Sequence, residues 1–211
     1  MRPVLEQAKS LGFLGPGPVD HHIDHAVAMA AVLEVVVRPQ ETGLDGGGVK
    51  GVDLGSGGGV PGLVLASVAA GGVASWALVE SMERRSAFLE WAVAELHLED
   101  RVSVQRVRAE ELGRTPGFRA ACAVVVARSF GPPAVTAECA APLLLVGGAL
   151  VVSEPPGPVQ DRWPASGLVE LGLELEAPRG AGPTFAVMRS VQEVGSRYPR
   201  RVGIPAKRPL F

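Results

Sequence analysis

The chain has 211 residues, 47% of them hydrophobic, with 20 basic and 22 acidic side chains and a formal net charge of -2 at pH 7. That length suits one ordinary domain with a sizeable core, and the balanced charge excludes a protein that coats nucleic acid through a broad basic field, so any polyanion contact must be local. Cys122 and Cys139, each inside an apolar run, give neither a disulfide framework nor paired-cysteine zinc spacing and read as small core residues in a reducing compartment.

The first ten residues are charged and lack an apolar stretch ahead of a cleavage site, and no uninterrupted apolar run reaches about 18 residues. A cytoplasmic location without membrane association is expected. Residues 24–37, rich in alanine and valine, predict a helix packed on the domain. His21 and His25 stand one helical turn apart, a weak metal spacing that lacks further ligands and reads better as a polar surface or helix cap. Residues 43–50 read as a flexible lead-in to the first strand.

From residue 49 onward, short β-branched runs alternate with segments of helical period, the pattern of an α/β parallel sheet covered by helices. Strands are expected at 51–54 and at 75–79, the second ending at Glu80, with a buried helix at 63–70 between them. A helix over 83–98 places Phe88, Leu89, Ala92, Val93 and Leu96 on one face. Strands follow at 102–107 and at 121–127, the latter apolar throughout as a central strand should be. A crossover helix is expected at 132–145 and a fifth strand at 149–153, after a stop at Gly147 and Gly148. Residues 168–175 and 183–192 look like a closing pair of strands, and the basic, proline-containing tail 197–211 predicts no regular structure by itself. Trp76 and Trp91 fall inside the strand and helix patterns and read as core or subunit contacts.

The stretch Gly51-Val52-Asp53-Leu54-Gly55-Ser56-Gly57-Gly58-Gly59-Val60-Pro61-Gly62 is a glycine turn between a first strand and a helix. A triphosphate loop needs Gly-Lys-Ser/Thr at its end, and Pro61-Gly62-Leu63 supplies no lysine. The dinucleotide fingerprint counted from Gly55 needs a small residue where Val60 stands, and Asp53 would repel a pyrophosphate. S-adenosylmethionine carries an ammonium and a sulfonium and no phosphate, so Asp53 suits its methionine half, and Glu80 at the second strand's end suits its ribose hydroxyls.

These residues, together with Glu80-Ser81-Met82-Glu83-Arg84-Arg85-Ser86-Ala87-Phe88-Leu89, Arg108-Ala109-Glu110-Glu111, Ala127-Arg128-Ser129-Phe130 and the tail from Arg197 to Leu210, resemble the small-subunit ribosomal RNA guanine-N7 methyltransferase family, also called glucose-inhibited division protein B. The resemblance implies a Rossmann-like class I S-adenosylmethionine-dependent methyltransferase fold, mostly parallel with helices on both faces. It divides the chain into a helical segment 1–48, a methyltransferase domain 49–195 and a basic tail 196–211 packing on the domain. Gly55, Ser56 and Gly57 would hold the methionine part, Glu80 with Ser81 beside it the ribose, and Ala109 and Glu110 the adenine edge. Arg128 would be the catalytic residue facing the substrate, and His22 stands where the family has a histidine in its leading helix.

The partner implied is small-subunit ribosomal RNA or the assembled subunit, with no metal and no membrane. Arg197, Arg200, Arg201, Lys207 and Arg208 would meet the RNA backbone, positioning it without reading sequence. Guanine N7 has a lone pair and no proton, so its methylation asks for positioning and exclusion of water rather than a general base. Two departures from the family lie on the substrate side: Ser153-Glu154 replaces a lysine and glycine after the fifth strand, and the N-terminal segment lacks an Asn-Leu-Thr-like stretch. They keep open a relative acting on a small molecule or another RNA, and a non-catalytic RNA-binding relative.

Overall fold

The structure, a computed structural model, describes residues 1–37, 49–177, 179 and 182–211; the lead-in expected at 43–50 lies outside these up to residue 48. Two helices come first, α1 (Arg2–Ser10) and α2 (Val19–Val36). The α/β part follows with β1 (Lys50–Leu54), α3 (Gly62–Ser67), β2 (Ser75–Val79), α4 (Glu83–Glu95), β3 (Val102–Gln105), α5 (Ala109–Leu112), β4 (Cys122–Ala127), α6 (Pro133–Ala140) and β5 (Leu144–Ser153). It closes with α7 (Ala165–Glu170), β6 (Leu173–Leu175), β7 (Phe185–Ser190) and α8 (Ile204–Lys207).

The strands form one seven-stranded sheet in the order β3-β2-β1-β4-β5-β7-β6. The first five are parallel, and β7 runs antiparallel to both β5 and β6. Residues along each strand alternate between two cores. Val124 and Val126 join Leu33, Trp76 and Leu89 under α1 to α4, while Val125 and Ala127 join Leu143, Trp163 and Leu168 under α5 to α7. Strand order reverses between β1 and β4, so the loops leaving their carboxyl ends diverge and open a crevice there.

The elements differ from expectation in β5, in residues 168–175 and in the tail, where α8 forms. The glycine pair read as a stop lies inside β5, at a register shift against β4 between Cys122 and Val124. A Cβ on Gly148 would stand 3.0 Å from the carbonyls of Cys122 and Leu145, so glycine is there for close backbone approach within a ten-residue strand. The crossover helix is correspondingly shorter. Residues 168–175 divide into α7 and β6, because Leu168 and Leu171 are both buried at helical spacing. Within the helical segment expected over 1–48, α1 has Val4, Leu5 and Ala8 as its buried stripe. Trp76 is core at 2% exposure, and Trp91 is 43% exposed on α4.

Both cysteines are buried, and burial pushes their thiols up. Among the described residues, no helix is long and apolar enough to cross a membrane.

The tail is pinned, and it includes the single turn α8. Arg200 grips Glu138, a residue of 0% exposure on α6, with its Nη2 2.6 Å from Oε2 and its backbone N–H donating to Oε1 at 2.8 Å. Arg119 Nη1 donates to the Tyr198 carbonyl at 2.8 Å. Removing one partner of a buried ion pair strands the other charge. Arg200→Ala should therefore lose about 3 kcal/mol in urea unfolding, while Arg201→Ala at an exposed position should stay within about 0.5 kcal/mol of the parent.

Candidate functional site

The site begins with two acids that hold the glycine loop. Asp53 on β1 accepts the Gly62 N–H on Oδ2 at 3.1 Å, at the first residue of α3. A Cβ at position 62 would lie 2.6 Å from that oxygen and 2.3 Å from Leu78, so only glycine lets the carboxylate meet the helix start. Asp53 is 1% exposed, its Oδ1 has no hydrogen-bond partner among the described residues, and burial pushes its pKa up to about 7.

On the other side, Glu80 accepts the Gly57 N–H on Oε2 at 3.2 Å and the Met82 N–H on Oε1 at 2.8 Å. The N–H groups of Gly55 and Ser56 donate to the Val79 carbonyl at 2.9 and 3.0 Å. With φ of +69° and +53°, Gly55 and Gly57 take the left-handed backbone this path requires.

Three cavities meet at the strand tips. The first, about 380 Å³, is walled by Gly55, Glu80, Ser81, Ala109, Glu110 and Phe130. The second, about 230 Å³, lies over Ser56 and Gly57, beside Phe13, His22 and Arg128. The third, about 370 Å³, is reached past Ser129 and Phe130 and is lined by His25, Arg128, Ser153, Glu154, Arg162 and Trp163.

The donor set of the first two cavities fits S-adenosylmethionine. Carboxylates stand at two successive tips, where ribose hydroxyls and an adenine amine need acceptors. Their neighbouring cations are already opposed by acid, Arg85 at 3.8 Å from Glu80 and Arg108 at 3.6 Å from Glu110. Among the described residues, no lysine faces either cavity to meet a phosphate.

Arg128 joins the second and third cavities. Its Nη2 lies 2.7 Å from His22 Nδ1, and His22 Nε2 lies 3.2 Å from the Gly15 carbonyl. The ring therefore carries its proton on Nε2 and accepts from arginine on Nδ1. Burial, and then the Arg128 charge, lower the His22 pKa, which keeps it neutral. The same two causes push His25 down to about 4; its Nε2 lies 2.8 Å from Ser153 Oγ.

The sequence-expected residues divide accordingly. Gly55, Glu80, Ser81, Ala109 and Glu110 line the first cavity, and Ser56, Gly57, His22 and Arg128 the second. Asp53 lines none of the three and acts beneath the loop. His22 was expected on the substrate, but both its nitrogens are engaged within the protein.

Arg200, expected on RNA, directs its Nε and Nη2 to Glu138 and the Arg208 carbonyl. Arg197 pairs with Glu170 at 2.9 Å; Arg201, Lys207 and Arg208 are exposed. The tail also reaches the first cavity, through Ala206 in its wall and the Gly203 N–H, which donates to Glu110 at 3.0 Å.

His25, Arg162 and Trp163 were missed as site residues. The signal for His25 was its three-residue step from His22, which turns both inward while His21 is exposed. Among the described residues, no group of three or more His, Cys, Asp or Glu could hold a metal ion.

The profile of a family described as rRNA small subunit methyltransferase G (GidB) matches residues 23–154. The chain belongs to this family. The ribosomal RNA small subunit methyltransferase G of Carboxydothermus hydrogenoformans is 36% identical over 170 residues, covering 77% of this chain and 71% of that protein. Its counterpart in Pelotomaculum thermopropionicum is 31% identical over 98% of this chain and 86% of its own length.

Solved structures with the same fold include a precorrin-6y C5,15-methyltransferase from Geobacter metallireducens, with TM-score 0.51, 14% identity, and 76% and 86% of the two chains covered. Another is the antibiotic-resistance methyltransferase Kmr, with TM-score 0.52, 11% identity, and 77% and 93% covered. This member of the methyltransferase G family is thus an S-adenosylmethionine-dependent methyltransferase with a Rossmann-like sheet.

Folded Asp53 keeps its proton up to about pH 7, while the unfolded chain releases it near 3.8. The stability this contributes is present below the lower value and is lost as pH rises through the upper one. Asp53→Asn should therefore flatten the fall in Tm across that window; an unchanged slope would contradict the burial argument. Glu80→Ala should weaken S-adenosylmethionine binding by more than about tenfold on calorimetry, since one acid serves both the loop and the cavity.

Proposed function

We propose that this enzyme methylates N7 of a guanine in small-subunit ribosomal RNA. The observation that carries the reading is the placement of Arg128 between the cofactor-side cavity and the third cavity, among carboxylates that are all already occupied. Glu80, Glu110 and Glu154, the acids lining the three cavities, each accept hydrogen bonds within the protein. A site whose acids are all engaged, and whose remaining imidazole, His25, is pushed down to about 4 and so is a weak base, suits a nucleophile that has no proton to lose.

Bound S-adenosylmethionine supplies an electrophilic methyl group on a sulfonium, and its transfer to N7 releases no proton. The chain's own residues position and enclose. Glu80, Glu110 and the wall of the glycine loop hold the cofactor side. Arg128 donates to guanine O6, fixing the plane of the base. A bidentate arginine grip on O6 and N7 would cover the nucleophile; with Nη2 engaged by His22, a single contact to O6 leaves the N7 lone pair open. The base must be unstacked to reach the strand tips, so the target lies in a loop or is flipped. Exposed Arg201, Lys207 and Arg208 supply a local basic patch for the RNA backbone.

Labelled methyl transfer to small subunits and to their stripped RNA, with the labelled position mapped, tests the reading. Label at a guanine N7 is expected with one of the two substrates, and Arg128→Ala should abolish it while the protein still binds cofactor, as expected for a residue whose main role is at the acceptor. Label on a small molecule or at another base atom would overturn the assignment.

A further inference from the structure

Where the family resemblance has a lysine after the fifth strand, this chain has Glu154. The Glu154 side chain is 1% exposed. Its Oε1 accepts the Trp163 indole N–H at 2.9 Å, and its Oε2 accepts Nη1 of Arg162 at 2.5 Å. Trp163 is sealed in the core at 1% exposure and anchors the turn that carries Arg162. A carboxylate this deep needs its partners, so Glu154 acts as a holder rather than a contact to solvent or substrate.

What it holds is a cation at the acceptor cavity. The Arg162 side chain is 37% exposed and lines the third cavity together with Arg128. Only its Nη1 is engaged; Nε and Nη2 have no hydrogen-bond partner among the described residues. Two guanidinium groups against one carboxylate leave the lining one positive charge in excess. That excess matches an uncharged guanine carrying one flanking phosphate, and a planar fork with free donors is the group that grips a phosphate well.

We propose that Arg162, fixed by the buried Glu154, binds an RNA backbone phosphate beside the target guanine. It restores, from eight residues farther along the chain, the positive charge that position 154 lacks. The proposal rests on the ribosomal RNA reading above.

The test is steady-state transfer to small-subunit ribosomal RNA across a salt series, with wild type, Arg162→Ala, Arg162→Lys and the double variant Glu154→Gln/Arg162→Ala. The double variant is included because Arg162→Ala leaves Glu154 buried and unpaired, whereas the pair of changes removes both charges and isolates the contact from folding. Arg162→Ala and the double variant should each raise KM about tenfold, with kcat within about twofold. Each should also lower the slope of log affinity against log salt by about 0.7, the value for one phosphate on a single strand. Arg162→Lys should keep most of that slope, and cofactor affinity should not change in any variant.

A merely structural Arg162 would not move the salt slope. If wild type labels the RNA and the double variant matches it in KM and slope, Arg162 is not a phosphate contact. If wild type labels no RNA at all, the acceptor assignment fails first and this proposal falls with it.

Discussion

The site depends on two carboxylates closing on one glycine loop. Asp53 reaches the start of α3 from below, and Glu80 takes the Gly57 amide from the side, so the loop is fixed before any ligand arrives. The arrangement works because position 62 has no side chain; any Cβ there would displace either Leu78 or the Asp53 oxygen. Burying Asp53 is unfavourable for its charge, and the helix start it faces offsets part of that. The result is a rigid floor between β1 and β4, at the point where strand order reverses and parallel sheets carry their ligands.

On the acceptor side, the same logic runs through histidine. Helix α2 supplies neutral His22, which accepts from Arg128, and His25, which meets Ser153 at the end of β5. Both rings are kept neutral by burial and by the arginine beside them. A neutral acceptor leaves the charge of Arg128 uncompensated, so the cavity lining keeps an excess positive charge although Glu154 opposes Arg162. The tail follows the opposite rule: Arg200 is neutralised by Glu138, and that clamp brings Gly203 and Ala206 to the cofactor cavity while Arg201, Lys207 and Arg208 stay outside.

Much of this was legible in the sequence. Strand runs such as 121–127, buried on both faces, have one reading, and the glycine loop with an acid at position 80 pointed to its cofactor, whereas Asp53, expected at the methionine half, lies beneath the loop. What stayed illegible depends on partners distant in the chain. The bulge at Gly147 is set by β4, the helical state of α7 by packing on the sheet, and the role of Arg200 by Glu138, 62 residues away. His25 was read against His21 at a four-residue step, when the inward face was defined by the three-residue step to His22. Glu154 looked like a departure that removed charge, because nothing in a linear reading places Arg162 against it.

The most direct test of the account is a crystal structure of the protein with S-adenosylhomocysteine. The account predicts the ribose against Glu80, the adenine at Ala109 and Glu110, and the amino-acid end over Ser56 and Gly57, with the loop unchanged and Arg128 free of the ligand. Density that displaces Glu80 from the Gly57 amide, or that places the ligand in the cavity of His25 and Arg162, would contradict it.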